Sequence, residues 1–389
     1  MRTGRLARYA EAVGLYREPG TARLGQVANC ADMAMTSMER LDLVESGDAH
    51  YRRLADEVRR ARREIALEMY QIRADEVGGA LAVELARAAQ RGVRVRLLAD
   101  SFGSARAARL LGALKPGGVE VCWYNPYLLG RRTHRKLIVI DGRLVALGGM
   151  NTGCEFSERR SGADAWRDLM AWFEGEAVGV LEAQLHTAWE RCGGSPGADQ
   201  VAVYRNAEAI PCAVAGGEAG HQGHGAAYAA VVDSASEELL LANPYFVPPR
   251  FLEERLIAAR RRGVRVVIAI PRRSDVPLFK HAGRRRYTRL LDAGVEIWER
   301  CDKMVHAKVV AVDRILAGIG SVNLNRRSLL SNSETFLLTP EPGVVARVRR
   351  LVLGEAAGSS EALDARAWRR HTDRLHWAEV LAAPLAALL

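Results

Sequence analysis

The 389-residue sequence contains an internal repeat. Three segments of the first half recur in the second half in the same order, at offsets of 171, 176 and 172 residues. They pair Ala88–Val95 with Ala259–Val266, Gly118–Val121 with Gly294–Ile297, and His134–Asp141 with His306–Asp313. A repeat of whole segments in a fixed order predicts repeated structural units, and it limits which folds are possible. We therefore interpret the chain as a duplicated half.

Each half shows strands that alternate with helices. In the first half, Glu64–Tyr70 is an apolar run typical of a strand, and Ala80–Arg91 has helical spacing that ends at Gly92. Apolar and charged residues alternate over Val93–Leu97, which predicts a half-exposed strand. Asp141–Gly142 separates two apolar runs, a strong signal for a β-hairpin. The sequence therefore predicts an α/β fold of layered halves with mixed sheets.

Breaks in periodicity divide the chain, most clearly over Gly193–Gly197. The expected organisation is a basic N-terminal extension over residues 1–36, a first half over 37–192, a linker over 193–200, a second half over 201–358 and an amphipathic helical tail over 359–389. The extension carries Arg2, Arg5 and Arg8 at a spacing of three residues. That spacing fits a basic helix on a membrane surface or a helix packed on the core.

Charge and composition narrow the class of partner. The chain is 49% apolar and 26% charged, as in ordinary globular proteins, so disordered and fibrous classes are excluded. Its net charge of +10 favours an anionic partner, which could be nucleic acid, a phosphorylated small molecule or an acidic membrane surface. The sequence contains no run of 18 apolar residues, so no transmembrane helix is predicted, and no secretory signal is expected near the N-terminus.

The sequence predicts no metal or other cofactor. Its six cysteines are scattered without a C-x-x-C pair, which favours a reduced intracellular compartment. The Gly216–Gly225 segment holds His221 and His224, but no acidic or cysteine partner lies near them in the sequence. We interpret that segment as a flexible, solvated loop rather than a metal site.

The chemistry is concentrated in one motif, H-x-K-x-x-x-x-D, which occurs once in each half. Its members are His134, Lys136 and Asp141 in the first half and His306, Lys308 and Asp313 in the second, followed by Asn151 and Asn323. A histidine and a lysine two residues apart on a strand leave the same face. If the halves pack about a pseudo-two-fold axis, both histidines, lysines and asparagines converge on one pocket between them.

Such a pocket suits a phosphodiester. Lysine and asparagine groups neutralise or bind the non-bridging oxygens where charge develops. One histidine can attack phosphorus while the other protonates the leaving oxygen, because imidazole exists in both forms near neutral pH. Asp141 lies in the predicted turn with the opposite strand parity to His134, so we expect Asp141 and Asp313 to hold structure rather than react.

These residues resemble the phospholipase D superfamily and, more narrowly, bacterial cardiolipin synthases, over residues 37–389. The resemblance also covers Leu67–Tyr70, Trp166–Asp168, Asn243–Pro248 and Ser274–Leu278. It departs from the family at Cys154, at Asn325–Arg326, and in lacking the N-terminal transmembrane hairpin common in such synthases. The fold it implies is two phospholipase D-like α/β/α halves with the active site between them.

The resemblance implies a phosphatidyltransferase that joins two phosphatidylglycerol molecules through a covalent phosphohistidine and releases glycerol. We assign His134 as nucleophile and His306 as general acid, and the reverse assignment stays open. By resemblance, Glu334 orients His134 and Asp168 orients His306, although Asp168 also fits a surface residue. A phospholipase D-type hydrolase and a nuclease of the same superfamily remain alternative functions, and so does a non-catalytic binding relic.

The implied partner is anionic phospholipid at the cytoplasmic face of the bacterial inner membrane, with no obligate nucleic acid and an undetermined oligomeric state. The apolar residues of the tail recur at helical spacing from Trp377 onward, with Pro384 within the run. Arginines that precede this run could contact anionic headgroups. The same tail also fits the last helix of the catalytic core.

Overall fold

The computed structural model describes residues 19–126, 130–195, 209–216 and 223–372. Its strands are β1 (Ala34–Val44), β2 (Glu64–Met69), β3 (Arg94–Asp100), β4 (Val119–Tyr124), β5 (Lys136–Ile140), β6 (Leu144–Gly148), β7 (Met170–Glu174), β8 (Ile210–Ala215), β9 (Glu238–Ala242), β10 (Arg265–Pro271), β11 (Glu296–Arg300), β12 (Val309–Val312), β13 (Leu316–Gly320), β14 (Phe336–Thr339) and β15 (Ser360–Ala362).

The helices cover both faces of these strands. They are α1 (Pro19–Ala31), α2 (Gly47–Arg60), α3 (Glu76–Gln90), α4 (Ala108–Gly112), α5 (Glu158–Ser161), α6 (Ala177–Arg191), α7 (Gly223–Ser234), α8 (Arg250–Arg261), α9 (Pro277–Asp292), α10 (Arg326–Leu330), α11 (Pro342–Ala357) and α12 (Ala365–Thr372). The expected α/β fold with a mixed sheet is confirmed.

Strand order shows the duplication directly. One half runs β4-β3-β2-β5-β6-β7-β1, and the other runs β11-β10-β9-β12-β13-β14-β8, so each strand number increases by seven. In both halves the first three strands of that order are parallel, and the fourth pairs antiparallel to the third. The halves join where β1 pairs antiparallel to β8. Equivalent strands that meet antiparallel are what a pseudo-two-fold relation between halves requires.

Three large hydrophobic clusters form the core, and one of them joins the two halves. One cluster lies on the outer side of the first half, beneath α2 and α3, and another lies on the outer side of the second half, beneath α7, α8 and α9. The third contains residues from strands of both halves, together with α6 and α11. Because this cluster is shared, separating the halves would expose apolar surface of each, so the fold favours one joined unit.

The predicted hairpin between β5 and β6 is present, and the second half repeats it. Asp141 and Gly142 both have positive φ, at 54° and 62°, and Asp313 and Arg314 do so at 48° and 59°. Two successive left-handed residues form the type I′ turn that matches the twist of paired strands. Each aspartate also accepts hydrogen bonds from three successive backbone N–H groups, of residues 62–64 for Asp141 and residues 236–238 for Asp313. Asp141 thus anchors the start of β2, and Asp313 anchors the start of β9.

The prediction that β3 is half exposed was wrong. Alternation predicted a half-exposed strand, but Arg96 is fully buried and its guanidinium pairs with Glu64. The alternation marked the two faces of a strand that is covered on both sides, with an ion pair on one of them. Hydrophobic pattern alone does not distinguish a solvated arginine from one neutralised inside the protein.

The prediction that Gly216–Gly225 is a loop was also wrong in part. Helix α7 begins at Gly223, and His224 within it is 2% exposed; residues 217–222, with His221, lie outside the described residues. In the described part of the chain, neither ring nitrogen of His224 has a hydrogen-bond partner. Burial lowers the pKa of His224 to about 4, so the ring is neutral near pH 7. This histidine packs as a core residue.

The two ends of the chain are described in part. Helix α1 packs on α7 in the core of the second half, while residues 1–18, with Arg2, Arg5 and Arg8, lie outside the described residues. Strand β1 begins at Ala34, before the expected start of the first half. The expected helical tail starts with a strand, β15, followed by α12, whose Trp368 is buried against Tyr287. The apolar run from Trp377 lies outside the described residues.

Replacing Asp141 tests whether the motif aspartate is structural. Asp141→Ala leaves three backbone N–H groups without their acceptor, so we expect the free energy of unfolding to fall by about 1–3 kcal/mol. Urea denaturation measures this change. Asp233→Ala is the matched control, because Asp233 is exposed and its bond to Arg255 joins two helices at the surface. An unchanged unfolding free energy for Asp141→Ala would contradict the anchoring role.

Candidate active site

The two motif histidines are fixed by backbone hydrogen bonds that cross between the halves. The His134 N–H donates to the Ser333 carbonyl at 2.8 Å, and the His306 N–H donates to the Arg167 carbonyl at 2.7 Å. Ser333 directly precedes Glu334, and Arg167 directly precedes Asp168. Each histidine is therefore tied to the segment of the opposite half that carries an acidic side chain.

His134 forms a buried pair with Glu334. The distance from Nδ1 of His134 to Oε2 of Glu334 is 3.0 Å, and Ser321 Oγ donates to the same oxygen at 2.5 Å. Burial raises the pKa of Glu334, but His134, Lys136 and the Ser321 hydroxyl outweigh it and hold that pKa below its usual value. Burial lowers the pKa of His134 despite Glu334. The pair is therefore a carboxylate that accepts the Nδ1 proton of a neutral ring and leaves Nε2 as the base.

His306 forms the corresponding pair with Asp168. The Nδ1–Oδ2 distance is 2.6 Å, and Lys308 Nζ lies 3.7 Å from the same oxygen. Burial raises the pKa of Asp168 to about 6 although Lys308 lowers it. Burial, Lys308 and Lys136 hold the pKa of His306 well below its ordinary value. Burial is thus the main influence on the protonation of this pair, and the lysines beside it act next.

The two pairs differ at one equivalent position. Ser321 holds Glu334 in the second half, whereas the first half has Gly149 at this place in the repeat. A Cβ at residue 149 would lie 2.2 Å from Oδ1 of Asp168, so only glycine leaves room for that carboxylate. The duplication therefore contains two similar but unequal half-sites.

Two lysines make the site cationic. Lys136 and Lys308 are fully buried, and the Lys136 ammonium donates to the His134 carbonyl at 2.5 Å. Burial lowers the pKa of Lys308 to about 8 and moves that of Lys136 well below its usual value. An anion bound between them would restore their charge, because an opposite charge favours the protonated form.

The predicted asparagines also lie buried beside the motifs. Asn151 and Asn323 are about 5% and 4% exposed. Among the described residues, the side-chain oxygen of each lacks a hydrogen-bond partner. Buried amides of this kind are costly unless something binds them, so they fit groups that contact a ligand.

Aromatic rings surround the histidines, and no role was predicted for them from the sequence. Tyr70 lies 4.7 Å from His134 between ring centroids, and its ring lies 5.2 Å from Lys136 Nζ. Trp166, Phe156 and Tyr245 lie 5.1, 5.4 and 6.1 Å from His306. Tyr70 closely follows β2, and Tyr245 closely follows β9. Each of these strands pairs antiparallel with the strand that begins just after a motif histidine, so this pairing could have placed both tyrosines near the site.

A second missed feature lies inside the first motif. Arg135, between His134 and Lys136, is fully buried; it donates from Nη1 to Glu68 at 3.1 Å and from Nε to the Glu334 carbonyl at 3.1 Å. Thr133 Oγ1 donates to the same Glu68 side chain at 2.5 Å. This ion pair joins β2, the first motif and the second half at one point.

One group in the described residues has metal-ligand spacing, and it lies outside the motifs. Glu64, Glu182 and His186 have ligand atoms within 4.8 Å of one another. The Arg96 guanidinium contacts Glu64 and lies 2.6 Å from Nε2 of His186. A buried cation of the protein therefore already compensates these carboxylates. Metal-independent chemistry at the motifs stays a prediction.

Comparisons with known proteins agree with this geometry. Residues 54–160 and 228–352 match the family described as "Cardiolipin synthase, PLD-like domain". The chain belongs to this phospholipase D-like family. It is 32% identical over 309 residues to a cardiolipin synthase of Geobacillus sp. (strain WCH70), covering 75% of this chain and 61% of that protein. It is 29% identical to the probable cardiolipin synthase YwiE of Bacillus subtilis, covering 78% and 63%.

Solved structures share the fold of this family member at low sequence identity. The phosphatidylserine synthase of Haemophilus influenzae matches with a TM-score of 0.71 at 14% identity, covering 95% of this chain and 98% of that one. The polyphosphate kinase of Porphyromonas gingivalis matches with a TM-score of 0.60 at 13% identity, covering 86% and 53%. The curated relatives are longer, since the chain spans about three-fifths of their length.

Removing Glu68 tests the ion pair that supports the first motif. Glu68→Ala leaves the Arg135 guanidinium buried without its carboxylate, so we expect the free energy of unfolding to fall by roughly 3–5 kcal/mol. Chemical denaturation measures the loss. Glu254→Ala is the matched control, because it breaks the exposed Arg250–Glu254 pair of α8 and should change stability little. Equal effects of the two substitutions would refute the supporting role of Glu68.

Proposed function

We propose that this protein transfers a phosphatidyl group between two phosphatidylglycerol molecules through a phosphohistidine, with release of glycerol. The observation that carries the proposal is the pair of histidines, each oriented by a carboxylate from the opposite half, beside two buried lysines. Relatives named as cardiolipin synthases support this activity. The alternative, hydrolysis of a phosphodiester by the same residues, differs only in the alcohol or water that accepts the group.

In the first step, His134 is the nucleophile. Its Nε2 lone pair attacks the donor phosphorus, because Nδ1 is engaged by Glu334. The P–O bond to the headgroup glycerol breaks, and His306 gives a proton to the leaving oxygen. Lys136 and Lys308, with the amides of Asn151 and Asn323, bind the non-bridging oxygens as negative charge develops.

In the second step the roles of His306 reverse. His306 accepts the proton of the acceptor hydroxyl, the new P–O bond forms, and the P–N bond to His134 returns its electron pair to Nε2. Burial and the lysines disfavour the protonated form of His306 in the free protein. A bound phosphodiester offsets the lysine charges, and His306 can then hold its proton.

Substitution of each histidine tests the mechanism. We expect His134→Ala and His306→Ala to lower turnover of phosphatidylglycerol by at least about a thousandfold, because each removes one partner of a two-step reaction. A donor with a nitrophenol leaving group needs no general acid. With that donor, His306→Ala should accumulate phosphohistidine and His134→Ala should form none.

His281→Ala is the matched control, since this histidine of α9 lies outside the motifs. Adduct on His134→Ala alone would reverse the assignment, and near-wild-type turnover of either motif variant would refute the mechanism. Cleavage of plasmid DNA instead of phosphatidylglycerol by the wild type would favour the nuclease alternative.

The proposal includes a peripheral position on the cytoplasmic face of the membrane. No helix of the described residues is long and apolar enough to cross a membrane. Phe102 is 57% exposed and follows β3 at the sheet edge that carries the first motif, with the Arg132 guanidinium 5.4 Å from its ring. Residues 101–118 contain two arginines and a lysine but no acidic residue. An exposed aromatic beside basic residues suits an anionic lipid surface.

Replacing Phe102 tests this lipid contact. We expect Phe102→Ser to reduce co-sedimentation with phosphatidylglycerol vesicles several-fold, because a polar side chain does not enter the interface. Val83→Ser is the matched control, since Val83 is also half exposed but lies on α3. Vesicle binding that is lost equally in both variants, or in neither, would argue against this membrane contact.

A further inference from the structure

A tyrosine and an aspartate of the second half lie beside His306 and have no part in the steps above. Tyr245 is buried, meets the His306 ring edge-on at 6.1 Å and packs against Phe279 at 4.9 Å. Its hydroxyl donates to Oδ1 of Asp275 at 2.7 Å. Asp275 itself is exposed, in the loop between β10 and α9. A buried ring that contacts the proposed general acid thus holds an exposed carboxylate through its hydroxyl.

We propose that Asp275, held by Tyr245, binds a hydroxyl group of the acceptor and selects a polyol headgroup over a simple alcohol or water. This inference rests on the proposed function, in which His306 takes the proton of the acceptor. The acceptor oxygen must then lie near His306, and Asp275 is attached through Tyr245 to that side of the site. Asp275 becomes a specificity-determining residue.

The electrostatic effect of Asp275 on neighbouring groups agrees with a position near the site. Its charge acts to raise the pKa values of Lys308 and Tyr70, which belong to opposite halves of the site. In the part of the chain that the structure describes, Asp275 has Tyr245 as a hydrogen-bond partner and forms no ion pair. A carboxylate oxygen is therefore left for a ligand near an otherwise cationic pocket.

The chemistry of the carboxylate favours one class of acceptor. It accepts hydrogen bonds from hydroxyl groups and repels a phosphate, so it suits the uncharged end of a glycerol headgroup. One hydroxyl of a vicinal diol can attack phosphorus while its neighbour binds Asp275. Water and a monohydric alcohol lack that second hydroxyl. A site that hydrogen-bonds a substrate hydroxyl discriminates against analogues without it.

The first half offers a contrast. Asp100 ends β3, and its carboxylate accepts hydrogen bonds from the backbone N–H groups of Phe102, Gly103 and Thr133. It is fully buried and serves the loop itself. The loop after β10 instead presents Asp275 outward. Among the described residues, the loop after β10 therefore presents a carboxylate held by Tyr245 alone, whereas the carboxylate that ends β3 binds its own loop.

Competition between acceptors tests the inference. The full chain is given a short-chain phosphatidylglycerol as donor, with deuterium-labelled glycerol and 1-propanol together as soluble acceptors. Mass spectrometry resolves the phosphatidyl products, and the label distinguishes the glycerol product from the unlabelled donor. Both alcohols compete for one phosphohistidine, so the product ratio reports acceptor selection alone. We expect Asp275→Ala to lower the ratio of glycerol product to propanol product at least tenfold, and Tyr245→Phe to lower it less. Asp275→Glu should restore part of it.

Asp302→Ala is the matched control, because this exposed carboxylate is bound by Arg300 in another loop and should keep the wild-type ratio. An active Asp275→Ala protein with the wild-type ratio would overturn the inference. So would a variant that loses transfer to both alcohols in parallel, since that indicates a structural role. A wild-type protein that forms cardiolipin but transfers no phosphatidyl group to labelled glycerol would also overturn the inference. One that forms neither cardiolipin nor an alcohol product would instead contradict the proposed function.

Discussion

Each motif histidine depends on a carboxylate that the other half supplies. His134 is paired with Glu334 and His306 with Asp168. A backbone hydrogen bond from each histidine to the residue before its acid holds the two segments of opposite halves together. Removing such pairs from water is costly, and the cost is offset only when the geometry is well defined. The antiparallel junction of β1 with β8 and the shared central core supply that geometry. Neither half alone would hold a complete histidine–carboxylate pair.

Symmetry of the scaffold does not make the two half-sites chemically equal. Glu334 is held ionised by the Ser321 hydroxyl and by His134, whereas Asp168 lies against Gly149 and has a raised pKa. A permanent carboxylate suits a histidine that must stay neutral and then carry phosphorus. A carboxylate that titrates near neutral pH suits a histidine that exchanges protons with alcohols. Both the acid, glutamate or aspartate, and the residue beside it, serine or glycine, differ between the half-sites, and in the proposed mechanism these differences separate the roles of the two histidines.

The sequence revealed what repeats and missed what is paired over long distances. The doubled motif, the hairpins at Asp141 and Asp313 and the mixed sheet follow from local patterns, because spacing on a strand and turn chemistry are local properties. From the sequence, Arg96 and Arg135 are expected at the surface, because their acid partners Glu64 and Glu68 are far from them along the chain. In the structure these acids neutralise the two arginines in the core. Trp166 and Phe156 of the first half contact His306 only when the two halves meet. The likeness to known synthases assigned Glu334 and Asp168, and spacing alone would not have paired either acid with the opposite histidine.

Buried lysines connect the stability of this site with its chemistry. Lys136 and Lys308 are held where water cannot solvate their charge, so their pKa values are lowered in the free protein. A phosphodiester anion placed between them supplies the missing counter-charge and removes that penalty on binding. In the proposed mechanism the same event works against the lowering of the His306 pKa, because it compensates the lysines, although burial, the larger cause, remains. In the proposed mechanism, binding of the anion therefore favours the protonated His306 that the leaving oxygen needs.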